Sequence, residues 1–381
     1  MTKTFVAKTT ELDDSKVAVL EIMSYINSDL MKNTIGIVAC HYEYMEIFKE
    51  ICDGLPFKVV GSTSTIQSID DEPDALTFTM LVITSDELEF VLAATDTLNE
   101  NPGGKIRDAY NKNALADKTP SLILTFVPFM FENSGDAHAR VITEVSGGVP
   151  CFGTIGVDDT SEFENSLMLL NGESYKTRLA MLLIYGSIAP KFFFANISSE
   201  RLFNKTAVIT KSQGHIIMEV NGHPVSRYFE DLGLTKASET RHAMNSLPFL
   251  LDYNDGTALV SKVFIALTPE NYALCASEVP EGCTLYISNA DKDDIFLTTG
   301  SALDEILKNL EGANCVLMYS CLGRQTTLGA DFTAELDLVN KKLGGKINFM
   351  IAGSGGEFCP TQTTGQAVNR FHNNAFVACV L

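Results

Sequence analysis

"CVLMYSCLGRQTTLGADFTAELDLVNKKLGGKINFMIAGSGGE", residues 315–357, decides how this chain is built. CVLMYSC is a short apolar run rich in strand formers, and INFMIAG is a second one. Between them DFTAELDLVNKKL carries helical periodicity and stops at Gly344-Gly345. Strands alternating with helices in this way imply a mixed or parallel sheet covered by helices. The second strand runs out into glycines and then Glu357. Residues 121–159 repeat the plan: LILTFVP, a helix near 136–145, Gly147-Gly148, VPCFGTIG, then Asp158-Asp159. The echo reads either as the ordinary likeness of α/β units or as duplicated halves, each presenting a glycine-plus-acid turn at a strand end. Ligands of open α/β sheets bind beyond such strand ends.

Working outward, short β-rich runs alternate with helical patterns along the chain. LTFTMLVITS and LEFVLAATD read as a strand pair around Asp86-Glu87, and TAVITKS with HIIMEVNG as a hairpin. ALVSKVFIAL with YALCASEV reads as another strand pair, and AFVACVL as an interior last strand. The expected class is mixed α/β (α+β): two mixed sheets with flanking helices. The expected division is residues 1–200 and 201–381, with the junction near SSERLFNK at 198–205.

Composition narrows the partners. Asp plus Glu number 48 against 28 Lys plus Arg, for a formal charge of -20. A field of that sign repels nucleic acid and anionic lipid. The longest apolar runs are too short to cross a membrane as helices, and the first residues lack signal-peptide features. Membrane insertion is not expected, and the expected compartment is the cytoplasm. Nine cysteines, an odd number without a C-x-x-C, read as buried free thiols. P-loop, Rossmann, hydrolase-elbow and zinc signatures are missing from the sequence.

Four stretches stand out together: VGSTST (60–65), GTIGVDD (153–159), YSCLGRQ (319–325), and GGEF (355–358) with FHNN (371–374). In this order the set resembles the FIST family, over essentially the whole chain. In the family's pattern, Gly61-Ser62-Thr63-Ser64 matches a turn in which cysteine is common at the Ser62 position. Val157 stands where the family's Gly-Asp-Asp turn has its last glycine. Cys321 to Arg324 matches Cys-x-Gly-Arg, and Gly356-Glu357 with His372-Asn373 match the late motifs.

The resemblance implies a sensory domain for small ligands, with amino acids or related metabolites as the ligand class. It implies action through a histidine kinase, a cyclic-dinucleotide enzyme or a chemoreceptor, here as a separate partner. A subset of the family implies haem and nitric-oxide sensing, for which His372 is the candidate axial ligand; otherwise no cofactor or metal is expected. An enzyme with Cys321 or Cys151 as nucleophile is the third reading.

On residue chemistry, Arg324 is suited to clamp a carboxylate, or else to form a structural salt bridge. Glu357, behind Gly355 and Gly356, is suited to accept from an ammonium. Ser62 and Thr63 suit an anion or an ordinary turn. Asp158 and Asp159 suit a ligand or a cap. His372 and Asn373 complete the expected pocket. His242, in TRHAMN, is a weaker recruit.

Overall fold

The computed structural model describes residues 1–69, 72–130, 134–160, 162–233, 248–362 and 367–381, so His242 lies outside the described residues. The chain opens with β1 (Thr2–Thr9), α1 (Ser15–Ser24), β2 (Asn33–Cys40), α2 (Phe48–Gly54), β3 (Lys58–Thr63), β4 (Gln67–Ser68) and β5 (Phe78–Ser85). It repeats the plan with β6 (Glu89–Ala94), α3 (Pro102–Asn113), β7 (Leu122–Val127), α4 (Gly135–Ser146), β8 (Cys151–Ile155), β9 (Met168–Leu170), β10 (Glu173–Tyr175) and β11 (Ala180–Tyr185). A third copy starts at β12 (Lys191–Ala195) but is interrupted. The insertion holds β13 (Leu202–Gln213), β14 (Ile216–Val220), β15 (His223–Pro224), α5 (Val225–Asp231), β16 (Pro248–Asp252), β17 (Val260–Leu267), β18 (Ala273–Cys275) and β19 (Thr284–Ser288). The copy resumes with α6 (Lys292–Lys308), β20 (Cys315–Cys321), α7 (Leu322–Leu328), α8 (Ala334–Leu343), β21 (Asn348–Ser354), β22 (Glu357–Gln362), β23 (Ala367–His372) and β24 (Phe376–Val380).

The echo is real, and it has a third member. In each copy the two strands flanking the second crossover are parallel: β2 with β3, β7 with β8, β20 with β21. The copy's last strand lies antiparallel beside the first of that pair, and its opening strand pairs outside it. Strands are then exchanged in a ring. β4 of the first copy pairs with β21, β9 of the second with β3, and β22 of the third with β8. The mixed α/β class holds, but the strands of the described residues fall into four sheets, not two. The fourth is the insertion, where β13, β19, β16, β17, β18 and β14 close on themselves as an antiparallel barrel.

The reading of LTFTMLVITS and LEFVLAATD, residues 76–96, as a strand pair is corrected. β5 pairs with β1 and β2, while β6 pairs with β11 in another sheet. All eight residues of β5 are buried, so it is an interior strand with both edges taken, and Asp86-Glu87 link two copies. The TAVITKS hairpin and the ALVSKVFIAL pair form as expected, and β24 is interior between β12 and β20.

The inner faces of the three body sheets share one core, with Ile37 and Leu81 from the first, Phe152 and Leu182 from the second, and Leu317 and Val377 from the third. Each outer face is covered by its own helices. The barrel has a separate core around Phe249 and Phe264. Local signals set the ends: Ser134 caps α4 by accepting from the Asp136 N–H (3.2 Å), and Gly147 ends it at φ 71°.

Candidate functional site

The three parallel strands β3, β8 and β21 end in matching segments, Gly61-Ser62-Thr63-Ser64, Gly153-Thr154-Ile155-Gly156 and Gly353-Ser354-Gly355-Gly356. A Cβ on Gly61 or Gly153 would come within 1.9 Å of the Val38 or Thr125 carbonyl oxygen, so glycine is required at both. The three turns meet in a ring. Val157 N–H donates to Thr63 O (3.1 Å), Gly355 N–H to Ile155 O (2.8 Å), and Ser64 Oγ to Gly353 O (3.0 Å). Ser62, Thr63, Asp158, Gly355, Gly356 and Glu357 are therefore brought together.

Several of them are already committed. Thr63 Oγ1 donates to Asn165 O (3.1 Å) and accepts from Leu167 N–H (2.9 Å). Asp158 accepts from Thr160 N–H (2.8 Å), Thr160 Oγ1 (2.6 Å) and Asn165 N–H, so it caps its own loop. Ser62 is buried beside Gly156. Asp159 is exposed, 3.7 Å from His41 Nε2.

Arg324 does not join Glu357. It is 1% exposed, and its guanidinium meets Glu335 (3.0 and 2.7 Å) and Thr299 Oγ1 (2.7 Å). Thr299 and Ser320 hydroxyls also donate to Glu335. Burial alone would raise the Glu335 carboxyl, but the charge and hydrogen bonds of Arg324 hold it below its ordinary value. This is a closed structural network.

Glu357 is the opposite case. It is fully buried, and neither carboxyl oxygen meets a partner at full hydrogen-bond geometry, although Ser354, Cys321 and the Ala375 N–H face it. Burial pushes its carboxyl well above the ordinary value. Burial, and then Glu357, raise the Cys321 thiol, and burial raises Cys151, so both stay protonated.

His372 sits opposite Glu357 in the β22–β23 ladder and is fully buried. Its Nε2 is 3.1 Å from Cys359 O, its ring lies 5.3 Å from Phe194, and burial lowers it to about 3.

Strand alternation divides the FHNN motif between the two faces of its sheet. His372 points into the shared core with Glu357. Phe371 and Asn373 point the other way, toward the barrel. There they line a cleft of about 50 Å³, room for a few water-sized groups. Ile155, Gly355, Phe371 and Asn373 form one wall, and His215, Ile265 and Ala276 of the barrel the other.

Asn373 Oδ1 accepts from Ser277 Oγ (2.7 Å), and its N–H donates to Ser261 O (3.0 Å). Beside the cleft, Lys262 of the barrel is fully buried against Asp136 of α4 (2.8 and 3.1 Å). Sequence reading missed this pair, though a lone lysine inside ALVSKVFIAL was its signal. It also missed Glu335, the partner of Arg324.

A haem does not fit these residues. His372, the candidate axial ligand, does not reach the cleft: it is fully buried on the other face of the sheet, with Nε2 3.1 Å from Cys359 O and its ring beside Phe194. Among the described residues no group of three His, Cys, Asp or Glu side chains is arranged to hold a metal ion.

No curated protein matches the chain. Among solved structures, a cyanuric acid hydrolase from A. caulinodans is similar at 9% identity and TM-score 0.38, covering 100% of this chain and 99% of that one. A second cyanuric acid hydrolase structure is 12% identical at TM-score 0.35, with coverage of 100% and 99%. T. maritima PurL complexed with AMPPCP is 10% identical at TM-score 0.21, with coverage of 100% and 72%. None of these scores reaches 0.5, and none bears on the activity of this chain. Residues 34–223 match the FIST N domain and residues 224–360 the FIST C domain, the tandem order that the four motifs imply. The chain therefore belongs to the FIST family, whose domains are associated with small-ligand sensing in signal transduction.

Proposed function

We propose that this protein senses a small polar ligand in the cleft between the barrel and the second body sheet, and passes the signal to a separate partner. The partner classes in view are a histidine kinase, a cyclic-dinucleotide enzyme or a chemoreceptor, with the cytoplasm as the compartment. One observation carries the reading: the cleft has walls from two separately cored parts of the chain, one wall being the Gly355 turn and Asn373. Its described walls hold no Arg, Lys, Asp or Glu. An apolar body with an uncharged polar end therefore suits them best. An amino acid is the second choice, because Arg324 is engaged by Glu335 and leaves a ligand carboxylate without that guanidinium.

A binding role is favoured over an enzyme with a cysteine nucleophile, since Cys321 and Cys151 are buried thiols without thiolate character. The test is a thermal-shift screen with amino acids, their amides and small uncharged metabolites. A stabilising compound is expected, and its effect should vanish in Ala276→Trp, which fills the cleft from an exposed wall position. A ligand whose stabilisation survives that change sits elsewhere and overturns the assignment.

A further inference from the structure

The barrel leaves the body after β12 and returns before α6, and at that crossing Ile197, Leu250 and Ala290 form a small apolar cluster of their own. Its core, around Phe249 and Phe264, does not merge with the body cores. What ties it across the cleft is polar. Lys262 Nζ holds both Asp136 oxygens and donates to Phe371 O (2.9 Å). Glu278 N–H donates to Asp136 Oδ2 (3.0 Å), and the Glu278 carboxylate takes Arg140 (2.8 and 3.4 Å). Ser277 and Ser261 hold Asn373, and Arg370 pairs with Asp255 while lying 4.0 Å over the Tyr253 ring.

Polar contacts between separately cored parts favour relative motion over fusion. The ties also converge on α4 and β23, the two elements behind the cleft wall.

We propose that the barrel is a jaw that opens and closes the cleft about the Ile197–Ala290 crossing, latched by Lys262 on Asp136. This rests on the cleft being the ligand site, and gives that site its switch. A ligand that fills the cleft changes how firmly the jaw is held, and the barrel's position becomes the signal.

Lys262 and Asp136 satisfy one another while closed, so each needs water when apart. Removing Lys262 leaves Asp136 to be hydrated, and opening the jaw is the least disruptive way to admit water.

Amide hydrogen exchange reads the jaw without any ligand. Asn373 N–H and Glu278 N–H each bond across the junction. In Lys262→Met both should exchange at least about tenfold faster, with the β16–β19 and β20–β21 ladders unchanged. In Arg140→Ala, which removes a half-exposed rim pair, the same two amides should accelerate less, and this variant carries the test if Lys262→Met does not fold. Equal acceleration of the barrel ladder would mean the barrel melts instead of moving. No acceleration in either variant would mean it is fixed. Either result overturns the jaw and leaves ligand binding in the cleft standing, while a failed ligand screen leaves the jaw standing.

Discussion

Glu335 and Glu357 are both sealed from solvent beside the last residues of β20, Ser320 and Cys321, and they are opposite in character. Glu335 receives a guanidinium and two hydroxyls and stays ionised. Glu357 faces a thiol, a hydroxyl and a backbone amide, none at full geometry, and its carboxyl is pushed well above the ordinary value. Burial alone therefore does not decide which way a carboxyl shifts; the partners inside do. Arg324 is near enough to exert a pull on Glu357 but spends its hydrogen bonds on Glu335.

The largest effect comes from breaking the satisfied member. Arg324→Ala leaves Glu335 in the interior without its counter-charge, and should cost roughly 3–5 kcal/mol by urea denaturation. Arg324→Met with Glu335→Leu removes both charges and should recover most of that loss. A single variant as stable as the parent would show that Arg324 is available for other work, and would return it to the list of ligand contacts.

Glu357→Gln sharpens the contrast through its pH dependence. The folded carboxyl titrates above its unfolded value, so below the unfolded value both states hold the proton and Glu357 contributes no pH slope. As pH rises beyond it, the unfolded chain releases the proton first, and stability falls until the folded group also titrates. Glu335 acts in reverse: its contribution is present above the unfolded carboxyl value and is lost as pH falls through the lowered folded value. Glu357→Gln should therefore cost about 1 kcal/mol or less near pH 5 and remove part of the decline toward neutral pH. A variant with the parent's slope would show that Glu357 is ionised in the fold.

Much of the architecture was written in local pattern. The two longer crossover units were legible because their helices run ten residues or more and end at double glycines. The unit at 33–63 also reads as strand, helix, strand, but its helix is seven residues long and ends at a single glycine, so it was not legible as a member of the echo. Strand exchange was not legible at all: β4 is two residues long and β9 three, too short for alternation to register. At the site, period two already assigns His372 and Asn373 to opposite faces, a rule that a compact FHNN motif obscures. The partner of Arg324 lies on the next helix and not at the strand end, because a buried guanidinium takes the carboxylate that also has hydroxyl support.

The same contrast, at its weakest, separates two consecutive acids. Asp158 is 1% exposed and holds Thr160 and Asn165 in place, whereas Asp159 is exposed and stands 3.7 Å from His41. Water screens the second and not the first. Asp159→Ala should change stability by about 0.5 kcal/mol or less. Asp158→Ala strands buried donors and should cost roughly 1–3 kcal/mol. Parallel urea melts decide the matter. If Asp159 proves the costlier loss, the loop is pinned from its outer edge at His41, and the inner cap at Asp158 does not hold the ring of turns together.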